Sequence, residues 1–198
     1  MTTTDRNTPP TTTHRATSSI RTRRRRSGVG LSTVGLTGAL LLSACGSDGS
    51  DAVEGPVEIR AIDYAYLDVP DRVRAGSTLR LTNESDREVH ELVAIRLPDD
   101  EERSVEELVQ LPPEELGAFF PMVETVVVAP PSEEGFAVEG SGALTEAGRY
   151  ALICVIPTGA DPAEYLAAAA EAEGGPPQID GGPPHIVEGM FAELTVVD

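Results

Sequence analysis

Two histidines, one cysteine and one methionine set what chemistry the body of this chain can do. The 198 residues hold three His, two Cys and three Met. Met1, His14 and Cys45 fall in, or at the end of, an N-terminal segment with the marks of a leader, set out below. His90, His185, Cys154, Met122 and Met190 are then what the body retains. One thiol rules out a disulfide within the body. A lone thiol in an oxidising compartment is a liability unless it is buried or ligated. His90, Cys154, His185 and Met190 together supply two imidazoles, a thiolate and a thioether. That is the donor set of a mononuclear copper site with a His2Cys trigonal plane and a weak axial Met. Thiolate and thioether suit Cu(I), imidazole suits both oxidation states, and an intermediate geometry limits reorganisation on electron transfer. Each residue also has a plainer reading: a surface or core His, a Cys acting as a small hydrophobe, a Met as filler. Met122 lies outside the pattern and is read as packing.

These side chains need elements to carry them. Val57 to Tyr66 reads as a strand, with Val57, Ile59 and Ala61 alternating with Glu58 and Arg60. Ala75-Gly76-Ser77 reads as a turn, and Thr78 to Thr82 as a second strand. Val89 to Leu97 is a third, richly apolar strand that starts beside His90. Ser104 with Glu107 makes a capping box, opening a helical stretch that Pro112-Pro113 interrupts and Glu114 to Phe120 resumes. Val123 to Val128 is a strand. Residues 140–142 and 146–148 read as turns. Arg149 to Ile156 is a strand whose period of two puts Tyr150, Leu152 and Cys154 on one face. Asp161-Pro162 reads as an N-cap with Pro at the first helical position, opening an Ala-rich helix to about Glu173. Residues 174–184 form a Gly/Pro loop, and Met190 to Val197 closes the chain as a strand. Short strands separated by turn signals predict an all-β antiparallel sandwich or barrel, with the helices as insertions.

The charge is unevenly spread. Asp and Glu total 33 against 15 Arg and no Lys, a formal net charge of −18. Residues 1–44 hold seven of the Arg and a single acid, Asp5, so the remainder carries a net −24. An acidic body argues against nucleic-acid binding, which needs basic patches. The head has Arg21 and Arg23 to Arg26, then an apolar stretch from Val29 to Leu42, too short and too rich in Gly, Ser and Thr to span a bilayer. It has the charged region and short apolar region of a secretory signal. It ends in Leu42-Ser43-Ala44-Cys45, which resembles the bacterial lipobox. That resemblance implies a signal peptide over 1–44 and a lipidated, multiply acylated Cys45. It also implies a flexible tether over 45–55 and a body held at the outer face of the cell membrane.

The contexts of the four donors resemble the cupredoxin family, in particular plastocyanin-like domains. Asn83 to His90, followed by Glu91-Leu92-Val93, is similar to the family's strand and loop bearing the first His. Gly148-Arg149-Tyr150-Ala151-Leu152-Ile153-Cys154 is similar to its Gly-x-Tyr strand running into the Cys. His185-Ile186-Val187-Glu188-Gly189-Met190 has its His-x4-Met spacing with Gly before the Met, and Phe191 to Asp198 is similar to its terminal strand. The resemblance covers about 56–198. It implies a cupredoxin-like antiparallel Greek-key β-sandwich with short helical insertions near 100–120 and 158–184. It also implies one copper ion held by His90, Cys154, His185 and Met190. The chain departs from the family in the 31 positions separating Cys154 from His185 and in the helical segment at 104–120. Neither forbids a site, because the cost of closing a loop rises slowly with its length.

The expected function is electron transfer by a lipid-anchored type 1 copper protein outside the cytoplasm, and not catalysis, since four protein ligands leave no open position for a substrate. Its acidic body would steer it to a redox or copper-exchange protein with a basic face. Two alternatives use the same fold: a cell-surface copper carrier or sensor, and a metal-free binding module presenting its insertions. Zinc could also occupy a Cys and two His with a water or carboxylate, although the His-x4-Met spacing favours copper. Glu91 and Glu188 are read as solvated acids.

Overall fold

The computed structural model describes residues 52–172 and 175–198. The leader, Cys45 and all but the last residues of the tether lie outside that range. Ten strands form two sheets. Their ranges are β1 Val57–Ile62, β2 Ala65–Leu67, β3 Arg72–Arg74, β4 Ser77–Asn83, β5 His90–Arg96, β6 Val123–Ala129, β7 Phe136–Glu139, β8 Ala143–Leu144, β9 Gly148–Ile153 and β10 Phe191–Val197. The smaller sheet has the order β2-β1-β4-β8 and the larger β3-β10-β9-β5-β6-β7. Most pairs are antiparallel, but β1 runs parallel to β4 and β10 parallel to β3. The fold class read from the sequence is the one observed: an all-β sandwich of two sheets carrying short helices.

Period-two alternation builds the core between the sheets. Val57, Ile59 and Ala61 of β1 and Leu79 and Leu81 of β4 face Leu92 and Ala94 of β5, Tyr150 and Leu152 of β9, and Cys154 just after it, in one apolar cluster. Tyr150, Leu152 and Cys154 share that face, as their spacing requires. The intervening residues Val93, Ile95, Ala151 and Ile153 point the other way and are buried too. A second layer covers them. Helix α1 (Val105–Leu108) buries Val105 and Leu108 there, and Phe119, Phe120 and Met122 pack against the same cluster just beyond helix α2 (Pro113–Gly117). Burial on both faces explains why β5 reads as a nearly continuous apolar run. The Ser104 capping box forms as expected, with both reciprocal hydrogen bonds present.

Helix α3 (Pro162–Glu171) is capped by Asp161, whose Oδ1 accepts from the N–H groups of Ala163 and Glu164 at 3.0 and 2.9 Å. Among the described residues no helix is long and apolar enough to cross a membrane. Four strands, β2, β3, β7 and β8, depart from expectation. The stretch 57–66 is a hairpin, because Asp63 and Tyr64 turn the chain and Tyr64 adopts φ 65°. Strands β3 and β7 carry no apolar alternation to announce them; all four residues of β7 are exposed.

In the larger sheet β5, β9 and β10 are neighbours with alternating directions. The start of β5, the end of β9 and the start of β10 therefore meet at one end of the sheet. Those three positions carry His90, Cys154 and Met190.

Candidate metal centre

His90 is the first residue of β5, paired with Ala129. The segment before it is held tightly. The buried amide of Asn83 donates to the carbonyls of Glu88 and Ala129 at 2.8 and 3.0 Å and accepts from Ser85 N–H at 2.9 Å. Ser85 Oγ accepts in turn from Glu88 N–H at 3.0 Å. Asn83 ends β4 in the smaller sheet, so its side chain ties the two sheets together where the first imidazole enters the core.

Cys154 directly follows β9. Its N–H donates to Met190 O at 3.2 Å, and its carbonyl accepts from Ile186 N–H at 2.8 Å. His185 opens a single 3-10 turn, His185–Glu188, closed by Gly189 at φ 110°. Met190 N–H then returns to His185 O at 3.0 Å. A side chain at Gly189 would sit in the left-handed region that only glycine adopts freely, so the glycine is what brings Met190 back under His185.

These contacts put three donor atoms together. The Nδ1 atoms of His90 and His185 are 3.2 Å apart, and Cys154 Sγ is 3.3 Å from His185 Nδ1. All three lie within 4.8 Å of one another. His90, Cys154, His185 and Met190 each have 0% relative exposure, so bulk water does not reach the donors. Met190 shares the core cluster with Cys154.

The spacings fit a shared cation. With metal–nitrogen distances of about 2.0–2.1 Å and metal–sulfur of about 2.3 Å, they subtend angles of about 100° at a common centre. Protons alone satisfy the cluster poorly. His185 Nδ1 has either one N–H or one lone pair, and either serves one neighbour well, yet both His90 and Cys154 sit against it.

The electrostatics agree. Burial, then the neighbouring His185, lowers the His90 pKa from 6.5 to about 4, and burial lowers that of His185 too. Both imidazoles are therefore neutral bases ready to ligate. Burial pushes the Cys154 thiol well up, and Glu91 adds to this, while hydrogen bonds from the backbone of Glu91 and Ile156 work the other way. Such a thiol ionises when a cation supplies the missing charge. Two soft or borderline nitrogens, one thiolate and an adjacent thioether are residues that fit one copper ion.

Glu91 departs from the solvated role expected of it. It is 3% exposed, its Oε1 accepts Val155 N–H at 3.1 Å, and its Oε2 accepts from Tyr165 O–H at 2.7 Å. Tyr66 O–H also donates to its backbone carbonyl. The partner Tyr165 is 74 positions away on α3, which is why sequence spacing hides the pairing. Glu188 is exposed, as expected. A cavity of about 230 Å³ is lined by Glu91, Val93, Val155 and Tyr165 and belongs to the opposite face of β5 from His90. Asn83, Glu88 and Tyr64 were not among the expected site residues. Only Asn83 left a trace, as the first residue of a polar turn, Asn83-Glu84-Ser85-Asp86.

No protein-family model matches the chain, and no curated protein matches it. Solved structures do. It is similar to the dithionite-reduced auracyanin of Roseiflexus castenholzii, with 18% identity and a TM-score of 0.43 over 74% of this chain and 99% of that one. An auracyanin B structure matches with 19% identity and a TM-score of 0.40, over 73% of this chain and 89% of that one. Auracyanin A, described as a "blue" copper protein from Chloroflexus aurantiacus, matches with 18% identity and a TM-score of 0.38, over 72% and 100%. Overlaps this loose leave the weight on the donor cluster itself.

Proposed function

We propose that this chain is a type 1 copper protein that carries single electrons outside the cytoplasm, held at the cell membrane by a lipid on Cys45. The observation that carries this reading is the buried triangle of His90 Nδ1, His185 Nδ1 and Cys154 Sγ. Copper, when bound, supplies a one-electron couple. The residues that would hold the ion are His90, Cys154 and His185, with Met190 packed beside Cys154, on strand ends and the 3-10 turn that returns to β10. Rigid ligands limit reorganisation between the two oxidation states. Four protein ligands and full burial leave no open position for a substrate, which favours carrying electrons over transforming a molecule. Burial also speaks against the carrier alternative, since rapid hand-off of copper requires a ligand face that an acceptor can reach.

The lipid anchor and location rest on the Arg-rich head, the short apolar stretch and Leu42-Ser43-Ala44-Cys45. The partner would present a basic face. Exposed Glu188 and Asp63, the latter paired with Arg87, act on the electrostatics of His185. Association should therefore weaken as salt rises.

Loading the purified body with Cu(II) tests the reading. One equivalent should give an intense visible thiolate-to-copper band, and Cys154→Ser should abolish it while the fold is retained. A colourless wild-type protein would contradict the proposal.

A further inference from the structure

The second histidine is not left open at its outer edge. His185 Nε2 has no hydrogen-bond partner among the described residues, and the polar atom facing it is Glu88 Oε2 at 3.4 Å. The Glu88 carboxylate is itself only 11% exposed and is fixed from several directions. Its Oε2 accepts Gly159 N–H at 3.0 Å, and Tyr64 O–H lies 3.5 Å from its Oε1. Its backbone N–H and carbonyl are held by Ser85 Oγ and Asn83 Nδ2. The Tyr64 ring packs edge-on against His185, with centroids 5.1 Å apart and planes at 67°. A carboxylate anchored this well, beside the one free nitrogen of a buried ring, has little to do there as surface charge.

We propose that Glu88 is the positioning residue for His185, holding its Nε2–H so that Nδ1 stays turned toward His90 and Cys154. This rests on the copper reading above. With Nδ1 committed to a metal, a neutral imidazole carries its proton on Nε2, and the bond made there fixes both tautomer and ring orientation. A carboxylate acceptor also makes the ring a more basic donor. Stronger donation, together with the nearby negative charge, favours Cu(II) over Cu(I). The contact explains a feature of the chain as well: the 158–184 insertion supplies Gly159, which pins the carboxylate in place.

The test uses the copper-loaded protein with Glu88→Gln and, as a control, Asp86→Asn. Asp86 is two residues away with its side chain 86% exposed, so this variant removes one nearby charge without touching His185. Gln keeps an oxygen for Gly159 N–H, so the fold should survive. Glu88→Gln should shift the preference about tenfold toward Cu(I), a rise of about 59 mV for one electron, whereas Asp86→Asn should shift it less than threefold. In the diamagnetic Cu(I) protein, nitrogen-edited NMR should show a slowly exchanging His185 Nε2–H in the wild type that moves or exchanges faster in Glu88→Gln. Equal shifts in the two variants, or a Glu88→Gln potential within threefold of wild type, would overturn the proposal. If Glu88→Gln does not fold, the wild-type spectrum decides alone: a proton on Nδ1, or no protected Nε2–H, refutes it. A wild-type protein that gives no visible band removes this inference together with the copper reading. A coloured protein that fails the Glu88 tests removes the inference alone.

Discussion

Two arms of the chain deliver the imidazoles, and they differ about fourfold in length for the same outcome. The first, Asn83 to His90, is short and is held by side chains: Asn83 and Ser85 satisfy its backbone groups one by one. The second runs from Cys154 to His185, and backbone pairing holds it. His185 N–H donates to Ile156 O at 2.9 Å, Thr158 N–H to Pro183 O at 3.0 Å and Gly182 N–H to Thr158 O at 2.9 Å, with a bridge between Pro157 and Pro184. Residues 154–158 and 182–186 thus form a ladder that extends β9 beyond its end. The excursion bearing α3 is pinched off at its base, so the metal end experiences a short loop despite the 31 positions between Cys154 and His185. Glycine makes the pinch fit: a Cβ on Gly181 or Gly182 would run into Pro157 Cβ or Thr158 Oγ1. A long insertion in sequence need not be a long loop at the site.

The comparison predicts where damage concentrates. Breaking the short arm should cost most. Asn83→Ala leaves two buried carbonyls and one N–H without their partner, at about 1–3 kcal/mol each. Urea unfolding of the metal-free protein should show a loss of about 3–5 kcal/mol, and copper affinity should fall with it. A loss under 1 kcal/mol would mean that His90 is held by something other than this arm.

Acid should act next, on both arms at once. In the folded metal-free protein burial lowers the His90 pKa from 6.5 to about 4 and also lowers that of His185. Below pH 6.5 the unfolded chain binds protons that the folded chain refuses, so stability falls as the pH falls. The decline should begin near pH 6.5 and continue to about pH 4, and His90 alone accounts for about 3 kcal/mol of it. Denaturation curves between pH 7 and 4 measure this. A flat profile over this range would place the imidazoles in water.

The closure of the long arm is more tolerant. Gly189→Ala forces a side chain into a left-handed backbone and should cost about 1–2 kcal/mol. It should also alter the visible spectrum, because the turn that returns Met190 to His185 is disturbed; an unchanged spectrum would detach Met190 from the site. The smallest effect belongs to the tip of the excursion. Replacing 172–178 by a Gly/Ser linker leaves the ladder and the Tyr165–Glu91 hydrogen bond intact and should keep both the visible band and copper affinity within tenfold. Loss of the band would show that the insertion builds the site instead of covering it.

Much of this architecture could be read from the residue pattern, and the failures have physical causes. The Gly148-to-Cys154 alternation placed Tyr150, Leu152 and Cys154 on one face correctly because period two is a local property of a strand. The Ser104 and Asp161 caps were equally local. The turn at Asp63-Tyr64 escaped because it has no glycine and bends through a tyrosine at φ 65°. The burial of Glu91 depends on Tyr165, 74 positions later, and the role of Glu88 on His185, 97 positions later. Non-local pairing of that kind leaves no spacing to read.

On the proposed reading His90, His185 and Cys154 share one metal ion, and X-ray absorption at the copper edge of the loaded protein reads that sharing out. The account predicts about two nitrogens at about 2.0–2.1 Å and one sulfur near 2.3 Å by the bond lengths typical of such ligands, with the sulfur lost in Cys154→Ser. A first shell of oxygen and nitrogen alone in the wild-type protein would contradict it.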